Sequence, residues 1–194
     1  MARQRTRKQE TRERMLSAAS RGFRARGYAG IGVDGIARAA GVTSGAFYAH
    51  FGSKDGAFKA ALDIGLDEVI AAIPRYRKEF GAGWVAAFAD YYLSPAHRDD
   101  RACGCAMTAL SPEVARAAPK VHATYEAKMV RVIDLIAEGL AGGARPERRA
   151  RAWAMLGVLI GGLTLARAIA TRAAAVEIAA AIRKAAVDAA GPAR

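Results

Sequence analysis

Cysteine, histidine and acidic residues are scarce in this chain of 194 residues. It has 2 Cys and 3 His, and its 18 Asp and Glu stand against 30 Lys and Arg, which gives a formal net charge of +12. Two cysteines cannot form a disulfide framework, so a reducing compartment is favoured. The basic excess argues against a cationic partner and indicates an anionic one, such as nucleic acid or a membrane surface.

Long hydrophobic runs are also missing. The longest apolar stretch runs over the fifteen residues from Ala152 to Ala166 and ends at Arg167, which is too short for a membrane span. The basic N-terminal segment is not followed by the apolar segment of a secretory signal. We therefore expect a cytoplasmic protein without a membrane partner.

Catalytic and metal-binding patterns are equally hard to find. Cys103 and Cys105, with His97 and His122, are the candidates for a zinc site. Common structural zinc sites place two or more residues between paired cysteines, and here only one intervenes. The sequence offers no Ser-His-Asp or Cys-His arrangement and no phosphate-binding loop. We expect no enzymatic activity, no metal and no cofactor.

The chain does have helical patterning throughout. Ala, Leu, Arg and Glu recur without strand-type alternation, which predicts an all-α fold. The predicted helices begin near Thr11 and cover 33–40, 43–49, 53–73 and 84–93, with a loop over 94–104; further helices begin after Ser111-Pro112 and cover 119–140, 147–171 and 174–190.

The segment from Val33 to Phe51 predicts two short helices that cross at a steep angle. Apolar residues at helical spacing provide the inward face, and Gly41 permits the left-handed backbone of a tight turn. This is the pattern of a helix-turn-helix motif. The second helix of such a motif meets base edges with its N-terminal residues, here Thr43, Ser44, Gly45 and Ala46.

The sequence from Thr11 to about Phe58 resembles the TetR family of transcriptional regulators. The resemblance rests on the following residues: Gly27-Tyr28, Ile36-Ala37, Ala40-Gly41-Val42, Gly45, Phe47-Tyr48, His50-Phe51 and Ser53-Lys54-Asp55. It implies an N-terminal three-helix DNA-binding domain, taken as residues 1–56. It also implies a C-terminal helical bundle over 57–194 that forms a dimer interface and an effector cavity.

The resemblance also assigns roles to individual side chains. Tyr48 and Lys54 match positions that grip DNA phosphates, and His50 matches one that contacts phosphate or braces the motif. Thr43, Ser44 and Gly45 match the base-facing start of the recognition helix. Asp34 departs from expectation, because it is acidic where the preceding helix should approach the DNA backbone.

The C-terminal half predicts assembly and sensing. Gly157 and Gly161 lie four residues apart on one helical face, which suits a close helix–helix seam, and the resemblance implies that the last two helices form an intersubunit four-helix bundle. Aromatic and Met side chains of this half are candidates for the lining of an effector cavity. They are Trp84, Phe88, Tyr91, Met107, Tyr125, Met129 and Trp153.

The sequence thus favours a homodimeric regulator that binds a palindromic operator in double-stranded DNA. We expect a repressor that a small apolar or aromatic effector releases. Three alternatives stay open: a basic amphipathic protein of the membrane surface, a regulator switched by the thiols of Cys103 and Cys105, and a small all-α enzyme.

Overall fold

The chain is mainly helical in the part that the structure describes. The computed structural model describes the backbone of residues 2–194 and the side chains of residues 7–194. Within that range the only β-type pairing is an isolated bridge between Leu140 and Ala193, so the all-α prediction is confirmed. The helices are α1 (Ala2–Arg26), α2 (Val33–Ala40), α3 (Ser44–Phe51), α4 (Lys54–Phe80), α5 (Trp84–Tyr92), α6 (Pro95–Asp99), α7 (Ala106–Val114), α8 (Pro119–Gly139), α9 (Arg145–Ala168) and α10 (Arg172–Ala190).

Two compact units divide the chain. The first comprises the residues up to Gly65 together with Arg101–Tyr125, and the second comprises Leu66–Asp100 together with Glu126–Arg194. Both α4 and α8 therefore contribute to each unit. The domain boundary predicted after residue 56 lies within α4 and stays a prediction. None of the described helices is both long enough and apolar enough to cross a membrane.

The start of α1 corrects the prediction that this helix begins near Thr11. The helix already runs from Ala2, and the Thr11 hydroxyl does not cap it but donates to the carbonyl of Arg7, at 2.8 Å. The residues ahead of Thr11 are mostly Arg, Gln, Lys and Glu, whose straight side chains lose little rotamer freedom in a helix. Propensity therefore extends the helix past the residue that the capping rule selected.

Two prolines mislead the sequence-based boundaries. Helix α4 continues through Pro74 to Phe80, where the prediction ended it at residue 73. The Tyr76 ring stacks on Phe80 and meets Phe88 edge-on, with centroids 5.6 and 5.5 Å apart, so packing of the added turns offsets the hydrogen bond lost at Pro74. Pro112 lies in the last turn of α7 and not at the start of a helix.

The predicted loop over 94–104 contains a further helix, α6. Ser94 caps it, because its hydroxyl oxygen accepts from the backbone N–H of His97 at 3.2 Å. Pro95 occupies the first turn, where a missing N–H costs nothing. The Arg98 guanidinium donates to the carbonyl of Ala175 at 2.8 Å, which fastens α6 to α10.

The first unit has an aromatic core that holds α1 against α4. Phe23 and Phe58 are buried and meet edge-on, with ring centroids 5.3 Å apart. The buried Arg24 guanidinium donates to the carbonyls of Cys103 and Gly104, at 3.3 and 3.1 Å. These contacts tie α1 to the segment that leads into α7.

The second unit is built around the antiparallel pair α9 and α10. Gly162 lies where the two helices approach, and a Cβ at this position would collide with the side chain of Ile182. Trp84 is fully buried, and its indole N–H donates to the carbonyl of Gly139 at 3.1 Å. Gly162 is therefore the glycine that permits the close contact between α9 and α10 within the protomer. Gly157 and Gly161 do not take part in that contact.

Candidate nucleic-acid interface

The segment predicted to be a helix-turn-helix has that geometry. Gly41 ends α2 with φ +67° and ψ +39°, the left-handed conformation that glycine adopts without a steric penalty. The Gly41 N–H donates to the carbonyl of Arg38 and the Val42 N–H to that of Ala37, at 3.1 and 3.0 Å. These two bonds close the turn and set the direction of α3.

The two faces of α3 differ sharply. Phe47 is fully buried, and Ile36, Ala37 and Ala40 of α2 are buried as well. On the opposite side, Thr43, Gly45 and Tyr48 are exposed, and the Tyr48 side chain keeps 52% of its surface accessible. The N-terminal end of α3 therefore presents small polar groups and a phenol to the exterior on a rigidly packed helix.

The first residues of α3 are held by two side-chain hydrogen bonds. The Thr43 hydroxyl oxygen accepts from the backbone N–H of Ala46 at 3.2 Å, so Thr43 is the N-cap. The Ser44 hydroxyl donates to Oδ1 of Asp34 at 2.5 Å. Asp34 lies in the first turn of α2, where the helix dipole favours a negative charge.

Lys54 begins α4 beside an aromatic side chain. Its ammonium lies 4.3 Å from the centroid of the Tyr28 ring, and the Tyr28 hydroxyl donates to Oδ1 of Asp55 at 2.5 Å. That hydrogen bond, followed by burial, raises the pKa of Tyr28 to about 12. The ring holds the lysine by a cation–π contact at the N-terminus of α4.

The C-terminal end of α3 is bordered by α1. His50 is half-buried in the last turn of α3, and the Arg12 guanidinium lies 5.7 Å from the centroid of the Phe51 ring. Arg12 and the neighbouring Lys8 and Arg14 are exposed. The basic first half of α1 thus adds positive charge next to the end of the recognition helix.

The residues proposed for an effector cavity are distributed over both units. Met107 and Tyr125 belong to the first unit, where the Tyr125 hydroxyl lies 2.7 Å from that of Ser111 and burial raises the Tyr125 pKa. The other five belong to the second unit. Of these, Trp84, Phe88 and Met129 are buried, whereas Tyr91 and Trp153 are 52% and 44% exposed.

Both cysteines are thiols outside any disulfide, and both lie in the first unit. Cys103 is exposed and Cys105 is buried. Among the described side chains, no group of three or more His, Cys, Asp or Glu residues is arranged to hold a metal ion.

Sequence reasoning missed three contacts at this surface. The pairing of Ser44 with Asp34, the support of Lys54 by Tyr28 and the placement of Arg12 on Phe51 all join residues that are at least ten positions apart in the sequence. The acidic character of Asp34 was a visible signal, because an unpaired carboxylate facing DNA would be unfavourable. A polar partner on the neighbouring helix could have been sought on that basis.

Comparison with known proteins identifies the same segment. Residues 15–61 match the family model described as "Bacterial regulatory proteins, tetR family". No curated protein matches the chain.

Solved structures match nearly the whole chain. A TetR-family transcriptional regulator from Streptomyces coelicolor is 25% identical, with a TM-score of 0.70, over 94% of this chain and 97% of that one. A TetR-family regulator from Agrobacterium tumefaciens is 18% identical, with a TM-score of 0.75, over 91% and 97%. The reduced form of Escherichia coli NemR is 19% identical, with a TM-score of 0.73, over 90% and 95%.

The match and the geometry coincide. The family model covers α2, the turn and α3 completely, together with residues 15–26 of α1 and the start of α4, and the regulators cover both units. Residues 15–61 thus carry the DNA-binding segment of the TetR family, and the chain as a whole has the helical fold of TetR-family transcriptional regulators.

Proposed function

We propose that the protein is a homodimeric repressor that binds a palindromic operator and leaves it when a small apolar or aromatic effector binds. The DNA-binding part of this proposal is supported by the exposed N-terminal end of α3, a helix whose opposite face is fixed by the buried Phe47. Base edges in the major groove are read by side chains at this end of a recognition helix. Thr43, Ser44 and Gly45 are the proposed base-facing residues, with Tyr48, His50 and Lys54 on the phosphates.

A second copy of the chain is the proposed occupant of an apolar stripe on α9. Trp153, Gly157, Gly161 and Leu165 follow one another at intervals of four residues, and all four are exposed. A Cβ added at Gly157 or Gly161 would meet no other atom of the protomer within 4 Å. A continuous apolar stripe with open glycines suits close packing against another helix. Two recognition helices related by a two-fold axis would then read two half-sites.

The effector is proposed to bind in the second unit among its buried aromatic side chains. Phe88, Tyr92 and His97 form a run of ring contacts, with centroids 5.8 and 5.2 Å apart, and Trp84 and Met129 are buried in the same unit. These side chains are aromatic or apolar, so the proposed ligand class is apolar or aromatic. We propose no enzymatic role and a cytoplasmic location, where DNA is accessible.

Phosphate contacts are expected to supply affinity without sequence discrimination. Lys54→Ala should weaken binding to operator and to unrelated duplex by similar factors and reduce the slope of log K against log salt by about 0.9, because one counterion fewer is released. Tyr48→Phe should cost roughly 0.5–1.5 kcal/mol on both duplexes, since only one hydrogen bond is lost. Fluorescence anisotropy over a salt series measures both effects.

Lys59 provides the matched control for Lys54. It is an exposed lysine on the same helix, so Lys59→Ala removes the same charge at a position without a proposed phosphate contact. The salt slope of this variant should stay near that of the wild type. A Lys54 variant whose preferred base sequence changes while its affinity stays constant would contradict the assignment.

Effector binding is expected to lower operator affinity by about 5- to 150-fold, which corresponds to a coupling of roughly 1–3 kcal/mol. The buried Trp84 serves as the local probe, and Trp153→Phe removes the signal of the exposed tryptophan. A screen of apolar and aromatic compounds should find ligands that change Trp84 fluorescence and release DNA together.

The thiol mechanism makes a different prediction for the same measurement. The effector proposal is wrong if two results are found together. The double variant Cys103→Ser, Cys105→Ser stays on DNA under oxidant while the wild type dissociates, and no compound of the screen releases either protein from DNA. A compound that releases both proteins equally supports it.

A further inference from the structure

The bond between Ser44 and Asp34 determines which hydrogen-bonding groups the recognition helix presents. Ser44 is the first residue of α3 and Asp34 the second residue of α2, and the Ser44 hydroxyl donates to Oδ1 of Asp34 at 2.5 Å. Asp34 is exposed, and Ser44 is partly exposed. The pair therefore lies at the outer surface of the motif, beside the proposed base-facing Thr43 and Gly45.

The bond is not required for capping α3. Thr43 already caps the helix through its own hydroxyl oxygen, which accepts from the N–H of Ala46. Among the described side chains, Ser44 is the only hydrogen-bond or ion-pair partner of Asp34, although the chain carries 30 Lys and Arg. The charge is thus left facing outward on a protein of net charge +12.

Counting donors shows what this pair can bind. A serine hydroxyl has one proton to donate, and here that proton is committed to the carboxylate. An ionised carboxylate has no donor and about four acceptor sites, of which one is used. The Ser44–Asp34 pair can therefore accept hydrogen bonds from DNA and cannot donate any.

In the major groove, an acceptor-only pair discriminates among bases. Guanine presents two acceptors and thymine presents one acceptor and a methyl group, so neither base offers a donor and their acceptor oxygens or nitrogens would repel the oxygens of the pair. Adenine presents a donor next to an acceptor, whereas cytosine presents only the donor of its amino group. A carboxylate accepting from the cytosine amino group is accordingly a known mode of base readout.

We infer that Asp34, held by Ser44, reads the amino group of one cytosine in each half-site of the operator. This inference rests on the proposed function and deepens it by naming a specificity-determining pair. It also gives the acidic residue a role at a position where a carboxylate would be repelled by phosphates. Asp34 discriminates by accepting from the right base and by opposing the acceptors of the wrong ones.

The test begins with selection of binding sites from randomised duplexes by the wild type, Asp34→Ala, Asp34→Asn and Ser44→Thr. One position of the wild-type half-site should be cytosine, preferred by about 5- to 150-fold over the other bases. Asp34→Ala should lose this preference at that position and keep the others. Asp34→Asn should move it towards adenine, because a carboxamide offers a donor and an acceptor together. Ser44→Thr retains the hydroxyl and should retain cytosine.

A modified base then tests the contact at the level of single atoms. Replacing that cytosine by the pyrimidin-2-one nucleoside deletes only the 4-amino group. The wild type should lose about as much affinity as with the wrong base, whereas Asp34→Ala should be nearly insensitive once the weaker base pairing is subtracted. Melting curves verify that each variant is folded, which is expected because Asp34 is exposed.

The outcomes separate this inference from the proposed function. If the wild type selects no sequence, both fail. If it selects an operator but Asp34→Ala keeps every base preference, or the altered position is an A·T pair, only the inference fails. A purely structural bond between α2 and α3 would change the melting temperature and leave the base preferences unmoved, which would also overturn it.

Discussion

Replacing Gly161 by Leu is expected to lower operator affinity by at least about 10³-fold. Specific binding is typically 10³–10⁷ tighter than non-specific binding, and we expect a monomer with one recognition helix to lose most of that margin. In the proposed dimer, a Leu side chain would enter the space between the two α9 helices and force their backbones apart. Sedimentation velocity should show a dimer for the wild type at micromolar concentration and mostly monomer for Gly161→Leu.

The protomer itself should tolerate this change. Gly161 is exposed, and an added Cβ meets no other atom of the chain within 4 Å. Leucine also has a better helix propensity than glycine by somewhat less than about 1 kcal/mol. The free energy of unfolding of the isolated protomer should therefore stay the same or rise slightly while dimerisation is lost.

Two further variants make the result specific. Ala71→Leu places the same side chain on an exposed position of α4 in the second unit, and it should leave the dimer intact. Gly162→Leu should instead damage the protomer, because a Cβ there collides with Ile182. A Gly161→Leu protein that remains a tight dimer would contradict the proposed seam.

Phe47→Ala is expected to destabilise the DNA-binding unit by about 3–5 kcal/mol. Phe47 is fully buried, and its ring lies 5.2 Å from that of Phe51 and 5.7 Å from that of Tyr48, measured between centroids. Truncation removes buried apolar surface and leaves a cavity between α2 and α3. Since whole domains are stable by only about 5–15 kcal/mol, specific DNA binding should be largely lost at 37 °C.

Tyr48→Ala, next along the same helix, separates loss of fold from loss of contact. Tyr48 is 52% exposed, so the free energy of unfolding should change by about 0.5 kcal/mol or less. Its DNA affinity should fall nonetheless, because the phenol faces outward. Urea unfolding and fluorescence anisotropy on the same samples compare Phe47→Ala with Tyr48→Ala. Equal destabilisation by the two changes would contradict the assignment of Phe47 to the buried face of α3 and of Tyr48 to the exposed face.

The helix-turn-helix was predictable because its determinants are local. A glycine at the turn, small residues at the helix crossing and an aromatic residue six positions after that glycine lie within Val33–Phe51, and the predicted bounds of α2 were correct. The family resemblance and the spacing led independently to the same segment.

Errors arose where packing overrides local rules. Pro74 would end a helix in isolation, but the aromatic contacts of Tyr76 with Phe80 and Phe88 carry α4 onward. Thr11 satisfies the capping rule, yet the good helix formers before it extend α1 to Ala2. In both cases the helix boundary depends on the surrounding residues and not on Pro74 or Thr11 alone.

Contacts between helices could not be derived from spacing alone. Asp34 and Ser44 are ten positions apart and meet only because the turn at Gly41 folds α3 back onto α2. For the same reason, aromatic composition selected Trp153 as a cavity residue, whereas its side chain is exposed on α9 beside Gly157. We therefore base the effector proposal on the buried Trp84, Phe88 and Met129.

Selection of binding sites by the full-length wild-type chain from a pool of randomised duplexes tests the central claim most directly. We predict an enriched site with two inverted half-sites whose centres lie about one helical turn, or a multiple of it, apart, bound by a dimer. Sequencing of the bound pool and sedimentation of the complex would establish symmetry and stoichiometry together. Enrichment of no sequence, with binding that depends only on salt, would contradict the account.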